Sequence, residues 1–161
     1  LRGLMTKTIS QNGFTKVLRY FFEETLESHR GIYLDPGTSL LETLDTISAE
    51  TASIPVGGKC ASLAAQVAHT TFYLENNEAF LLGHGDENAD WEHIWKTVEK
   101  VTPEEWQQLK DNLRETYQRV KALCLARKDW GWEAIGNALG MMVHSAYHLG
   151  EIRQALCTLK S

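Results

Sequence analysis

The chain predicts an all-α bundle, and three observations carry that expectation. Apolar residues recur at gaps of three and four through four long stretches, no stretch alternates with period two as a half-buried strand does, and only three prolines interrupt the 161 residues. An apolar fraction of 43% against 23% charged belongs to a chain that buries a core, and this length suits one domain spanning 1–161.

The first stretch, about 10–29, carries Phe14, Val17, Leu18, Phe21, Phe22 and Leu26 as one helical stripe, stopped by Gly31 and Asp35-Pro36-Gly37. His29 falls at its end, as a dipole partner or a solvated residue. A short helix at 39–47 turns Leu40, Leu41 and Leu44 inward, and Ile54-Pro55-Val56-Gly57-Gly58 breaks the chain before a second long helix at 59–82. That helix is apolar on two faces, Leu63, Val67 and Leu74 on one, Ala61, Ala65, His69 and Phe72 on the other. His69 is therefore expected inside, with Gln66 one turn back and Tyr73 one turn on.

His84 sits in a glycine-containing polar loop and is expected to be solvated. Asp90 is read as the cap of a short helix with Trp91, Ile94 and Trp95, on which His93 is exposed. Thr102-Pro103-Glu104-Glu105 is a helix start, with a capping threonine, proline at the first position and glutamate at the capping-box position. Trp106, Leu109, Leu113, Tyr117, Val120 and Cys124 follow as one seam, opposite the charged Lys110, Asp111, Arg114, Glu115 and Arg119. The last helix, 132–159, places Asn137, Gly140, Met141, His144, His148, Glu151 and Ala155 on one face and Leu139, Met142, Ala146, Leu149 and Leu156 on the other. Two doubly apolar helices lead to the expectation of a symmetric homodimer.

Several classes are disfavoured. A net charge of −5 supplies no basic footprint for nucleic acid or an anionic membrane. No segment has the apolar length of a membrane span, and no charged start followed by an apolar run reads as a signal peptide. Residues 1–4 precede the first methionine and are given no weight. Cys60, Cys124 and Cys157 are widely spaced without any Cys-x-x-Cys, so buried free thiols in a reducing cytoplasm are expected rather than a disulfide framework.

The chemistry concentrates in 141–153. His144 and His148 stand one helical turn apart on one face, where two imidazoles converge on one divalent ion if a third ligand arrives. His69, on another helix expected to be central, supplies that ligand, and no acidic partner is expected beside any of the three. Two readings of these residues stay open: core histidines hydrogen-bonded to neighbours, or three ligands of one metal. Ser145 after His144 excludes a zincin, and the lack of any Glu-x-x-His excludes a ferritin-like di-iron site. Three histidines with no fourth protein ligand leave coordination positions open, as catalytic sites do.

His69 late in a long second helix, together with His144-Ser-Ala-Tyr-His148-Leu-Gly-Glu-Ile-Arg153, resembles the DinB/YfiT-like superfamily. Trp91, Trp95 and Thr102-Pro-Glu-Glu-Trp106 add to the likeness, which extends over about 8–159. The resemblance implies an up-down-down-up four-helix bundle, often dimeric, holding nickel, zinc or iron on His69, His144 and His148. It also implies S-transfer or isomerisation with bacillithiol, mycothiol or glutathione, or a metal-dependent hydrolysis. The sequence departs from the family at Glu151, where glutamine is common. Glu151, Tyr73 and Tyr147 are the candidates to position a proton or a small-molecule substrate. The expected mechanism is metal activation of a thiol or a water; the alternative from another class is a non-catalytic bundle in which the metal stiffens the fold or reports stress.

Overall fold

Each helix begins where a side chain can satisfy its first free N–H groups. The computed structural model describes residues 10–58, 60–86, 88–90, 92, 95 and 97–159. Ser10 caps α1 (Gln11–Phe22) by accepting from the Gly13 amide at 3.0 Å. Ser62 does the same for α4 (Leu63–Leu81) through the Ala65 amide at 3.2 Å. Thr102 and Glu105 exchange hydrogen bonds of 3.2 and 2.8 Å in a capping box that opens α5 (Pro103–Ala126). Short α2 (Leu40–Leu44) and α3 (Ala49–Ala52) lie between α1 and α4, and α6 (Trp132–Leu159) ends the chain. Among the described residues there is no strand.

Three boundaries differ from expectation. The helix expected at 59–82 starts at Leu63, because Ser62 takes the cap and the preceding 3-10 turn (Val56–Gly58) holds Gly57 and Gly58 at φ 60 and 76, outside the right-handed helical path. The segment 39–47 gives only α2, and α3 follows as an unexpected extra turn capped by Ser48. The helix expected to run to His29 is α-helical only to Phe22, widens into a π-helical turn (Glu23–Glu27) and stops at Ser28. The expectations for Lys59, Trp91, His93 and Ile94 lie outside the described residues; Glu92, Trp95 and Thr97 are helical.

The wide turn carries consecutive buried carboxylates. Glu24, with no exposed surface, accepts from the backbone N–H groups of Arg30, Ile32, Tyr33 and Leu34 at 3.2, 2.8, 2.7 and 2.7 Å. One side chain thereby satisfies a whole loop. Its neighbour Glu23 sits between Arg19 at 2.7 Å, Arg30 at 3.2 Å and Lys121 at 3.3 Å, and Lys121 also reaches Glu27 at 2.7 Å. Burial alone pushes all three carboxyls up, but these donors outweigh it and hold each below the ordinary range. A depressed folded-state value means that the unfolded chain takes up protons first as the pH falls. The stabilisation from the three glutamates is therefore complete above the unfolded value near 4.5 and is lost as the pH drops through the lower folded values. Urea midpoints are expected to be flat across the three groups' range from pH 7 to about 5 and to fall steeply below about 4.5; a midpoint unchanged at pH 3 would contradict this reading.

The four long helices close a ring in which α4 packs against α5 and α6, and α1 packs against the same two. Leu18, Phe22, Leu26, Leu63, Val67, Leu74, Leu113, Tyr117, Val120, Met141, Leu149 and Ile152 fill the centre. Trp106 ties α5 to the short helices by donating its indole N–H to the Ile47 carbonyl at 2.8 Å. Trp130 anchors the α5–α6 connection through Thr15 Oγ1, also at 2.8 Å.

Burial corrects further expectations. Both apolar faces of α4 are largely consumed inside the chain, since Leu63, Ala64, Ala65, Val67, His69 and Leu74 are all buried and Ala61 and Phe72 half-buried; lying between α5 and α6, this helix needs no partner subunit to explain most of its composition. On α6, Leu149 and Leu156 are buried as well, and the outward apolar line is instead Trp132, Leu139, Val143 and Tyr147. Val17, assigned to the α1 stripe, is exposed. Of the cysteines only Cys124 is buried; Cys60 and Cys157 are exposed free thiols, because Cys60 precedes α4 and Cys157 lies on the outer side of α6's last turns. No described helix is long and apolar enough to cross a membrane.

Candidate metal centre

The packing of α4 on α6 brings His69 to the face on which His144 and His148 stand one turn apart. One ligand atom from each imidazole lies within 4.8 Å of the others. Ring centroids are 5.0 Å apart for His69–His144 and His69–His148, and 4.5 Å for His144–His148. His69 and His148 are buried and His144 half-buried. His29 and His84 are exposed and take no part.

Aromatic rings clamp the cluster. Tyr73, one turn after His69, stacks on His144 with centroids 3.7 Å apart and planes 12° from parallel. Trp95 stacks on His69 at 4.2 Å and 25°. Gly140, one turn before His144, makes room for the first of these contacts: a Cβ there would sit 3.2 Å from the Tyr73 hydroxyl. Polar residues beside the histidines satisfy themselves within their helices, Ser145 donating to the Met141 carbonyl at 2.8 Å and Thr70 to the Gln66 carbonyl at 2.8 Å.

Burial holds the imidazoles neutral. It pushes His144 down to about 4, helped by His148 and His69, and His148 to about 4, helped by His69; His69 is lowered by the same cause. Neutral imidazole is the ligating form. The Nε2 atom of His144 is buried and without a hydrogen-bond partner among the described residues, an unfavourable state unless something else occupies its lone pair or N–H.

No acidic partner is expected beside the three, although Glu151 shares their helical face; one helical turn brings its carboxylate to 2.9 Å from His148 Nδ1. The carboxylate is off the line of the ring N–H, so the approach is close without being an aligned hydrogen bond. Tyr147 lies at the rim, exposed, with its ring 5.1 Å from that of His148. Glu151, through a hydrogen bond and its charge, pushes the Tyr147 phenol up. Thus Tyr73 is inside the cluster, Glu151 abuts it and Tyr147 borders it.

Two clefts approach the histidines from outside. A cavity of about 710 Å³ is lined by Trp95, Cys60, Ala65 and Lys100 among others. A second, of about 540 Å³, is lined by Gln66, Tyr147, Glu151 and Cys60 among others. None of the three histidines lines either; Trp95 on one side, and Glu151 with Tyr147 on the other, stand between. Trp95 and Gly140 are the site residues that sequence reading missed. Gly140 carried a signal, lying one turn from His144 on the same face; Trp95 entered only through the family resemblance, since no periodicity connects it to His69.

The donor set fits a divalent ion of intermediate softness, for three neutral imidazoles converge and the buried His144 Nε2 has no hydrogen-bond partner among the described residues. Fold and site together define an all-helical protein with a buried three-histidine cluster. No family model, curated protein or solved structure matches the chain.

Proposed function

We propose that this chain is a DinB/YfiT-like metal-dependent enzyme, a thiol S-transferase of the bacillithiol, mycothiol or glutathione type or a hydrolase, with His69, His144 and His148 holding nickel, zinc or iron. The proposal includes the up-down-down-up helix order, a cytoplasmic location and a homodimer. The observation that carries it is the convergence of three ligand atoms within 4.8 Å. A divalent ion there supplies Lewis acidity, which lowers the pKa of a thiol or water sharing its open positions. The protein's own groups have separable tasks. Tyr73 and Trp95 fix the planes of His144 and His69 and exclude water from them. Glu151 takes a proton at its carboxylate, and Tyr147, whose phenol Glu151 pushes up, donates one hydrogen bond. The homodimer is supported by the exposed line Trp132, Leu139, Val143 and Tyr147 on α6.

A second reading, a non-catalytic bundle stiffened by its metal, is favoured by one observation: no histidine of the cluster lines either cleft. One preparation separates the readings. Protein stripped with chelator, then offered nickel or zinc and dialysed, is expected to retain about one ion per chain, to sediment as a dimer at micromolar concentration, and to consume low-molecular-weight thiols in the presence of a chlorobimane-type electrophile. Absence of bound metal would end both readings. Bound metal without turnover of any thiol or ester would leave the second, and sedimentation as a monomer would remove the dimer.

A further inference from the structure

The 540 Å³ cleft beside the cluster holds a polar group that no described residue satisfies. Gln66 lines it and is 8% exposed, and its side-chain oxygen is buried without a hydrogen-bond partner. A buried amide oxygen in that state favours the arrival of a donor. The charge of the cleft is equally one-sided. Glu151 lines it, and among the described residues no lysine, arginine or histidine does. Among the described residues the one ion-pair neighbour of Glu151 is His148, at 2.9 Å, and neither a lysine nor an arginine reaches the carboxylate. Val56, Gly150 and Ala155 complete an apolar wall.

We propose that this cleft binds a primary ammonium group carried on an apolar body, the ammonium donating to the Gln66 oxygen and pairing with Glu151. This deepens the enzyme reading, since it names the chemical class of the substrate portion held next to the metal. Binding at the cleft itself needs no metal, so the test uses the metal-free full chain.

Calorimetric titration with benzylamine, benzyl alcohol and benzoate compares three probes that share one apolar body. Benzylamine is expected to bind on the order of tenfold more tightly than either of the others. Gln66→Leu is expected to weaken benzylamine about fivefold, and Glu151→Gln about tenfold while leaving benzyl alcohol unchanged. Gln66→Glu, which keeps an acceptor, is expected to retain binding and guards against a misfolded leucine variant. His144→Ala should lose the metal in a separate loading experiment yet bind benzylamine normally, so failure of the metal reading and failure of this one are read independently. Benzoate binding as tightly as benzylamine, benzylamine binding insensitive to both Gln66→Leu and Glu151→Gln, or its loss in metal-free His144→Ala would overturn the proposal.

Discussion

Replacing Glu24 with alanine is expected to cost about 3–4 kcal/mol of stability, a large share of the ~5–15 kcal/mol typical of a domain. The carboxylate is fully buried and takes four backbone N–H groups of one loop. Alanine would leave those donors without an acceptor, each worth roughly 1–3 kcal/mol if it stayed dry. The sum is smaller than four such losses, because Ile32 and Tyr33 are 41% and 46% exposed and their backbone can turn to water. Glu24→Gln is expected to lose about half as much, since the amide keeps one acceptor oxygen and turns its NH2 toward donors. Urea unfolding checks both variants: the midpoint should fall with the slope unchanged, as for a native state of the same compactness. A Glu24→Ala midpoint within error of the parent would show that the loop is held by its other contacts. The cluster of histidines is fed by α4 and α6, so metal retention in this variant should follow its folded fraction.

How much could be read in advance follows from what each feature depends on. The span of α6 and the start of α5 were legible, because a long period-3.6 pattern and a capping box are local properties. The π-helical turn was not. Nothing in the periodicity of 10–29 marks Glu23 and Glu24, and only the folded loop 30–34 reveals that Glu24 is its acceptor. The late start of α4 was decided by Ser62 and two positive-φ glycines, a contest that apolar periodicity alone does not register. In the site, the His144–His148 spacing and the interior position of His69 could be read from helical faces. The stacking of Trp95 on His69 could not, because it depends on how the segment before α5 folds back over α4. The doubly apolar character of α4 was visible, but its cause was central packing within one chain; composition does not distinguish a helix between two intramolecular neighbours from one facing a partner.

His144→Ala is expected to act with different strength in the two states of the protein, and that contrast is what makes it informative. In the metal-loaded protein it removes one of three ligands. Structural ions bound by four protein groups gain about 10–16 kcal/mol, so one ligand is worth about 3 kcal/mol, or on the order of a hundredfold in affinity. Loss of the ion also removes the stabilisation that ligand binding adds to the folded state. In the metal-free protein the same change is expected to stay within about 1 kcal/mol of neutral. It removes a half-buried imidazole whose buried Nε2 has no partner among the described residues, which is favourable, and it forfeits the 3.7 Å stack with Tyr73 and leaves a small cavity, which is not. The neutrality of the cluster sharpens the comparison: with His144 and His148 at about 4, neither carries appreciable charge at pH 7 in the parent, so no change of charge confuses the metal-free arm. Thermal melts with chelator, with zinc and with nickel read both arms, and exposed His29→Ala serves as the control that should move neither. Equal destabilisation of His144→Ala with and without metal would make His144 a packing residue, and the three-histidine cluster a feature of the core alone.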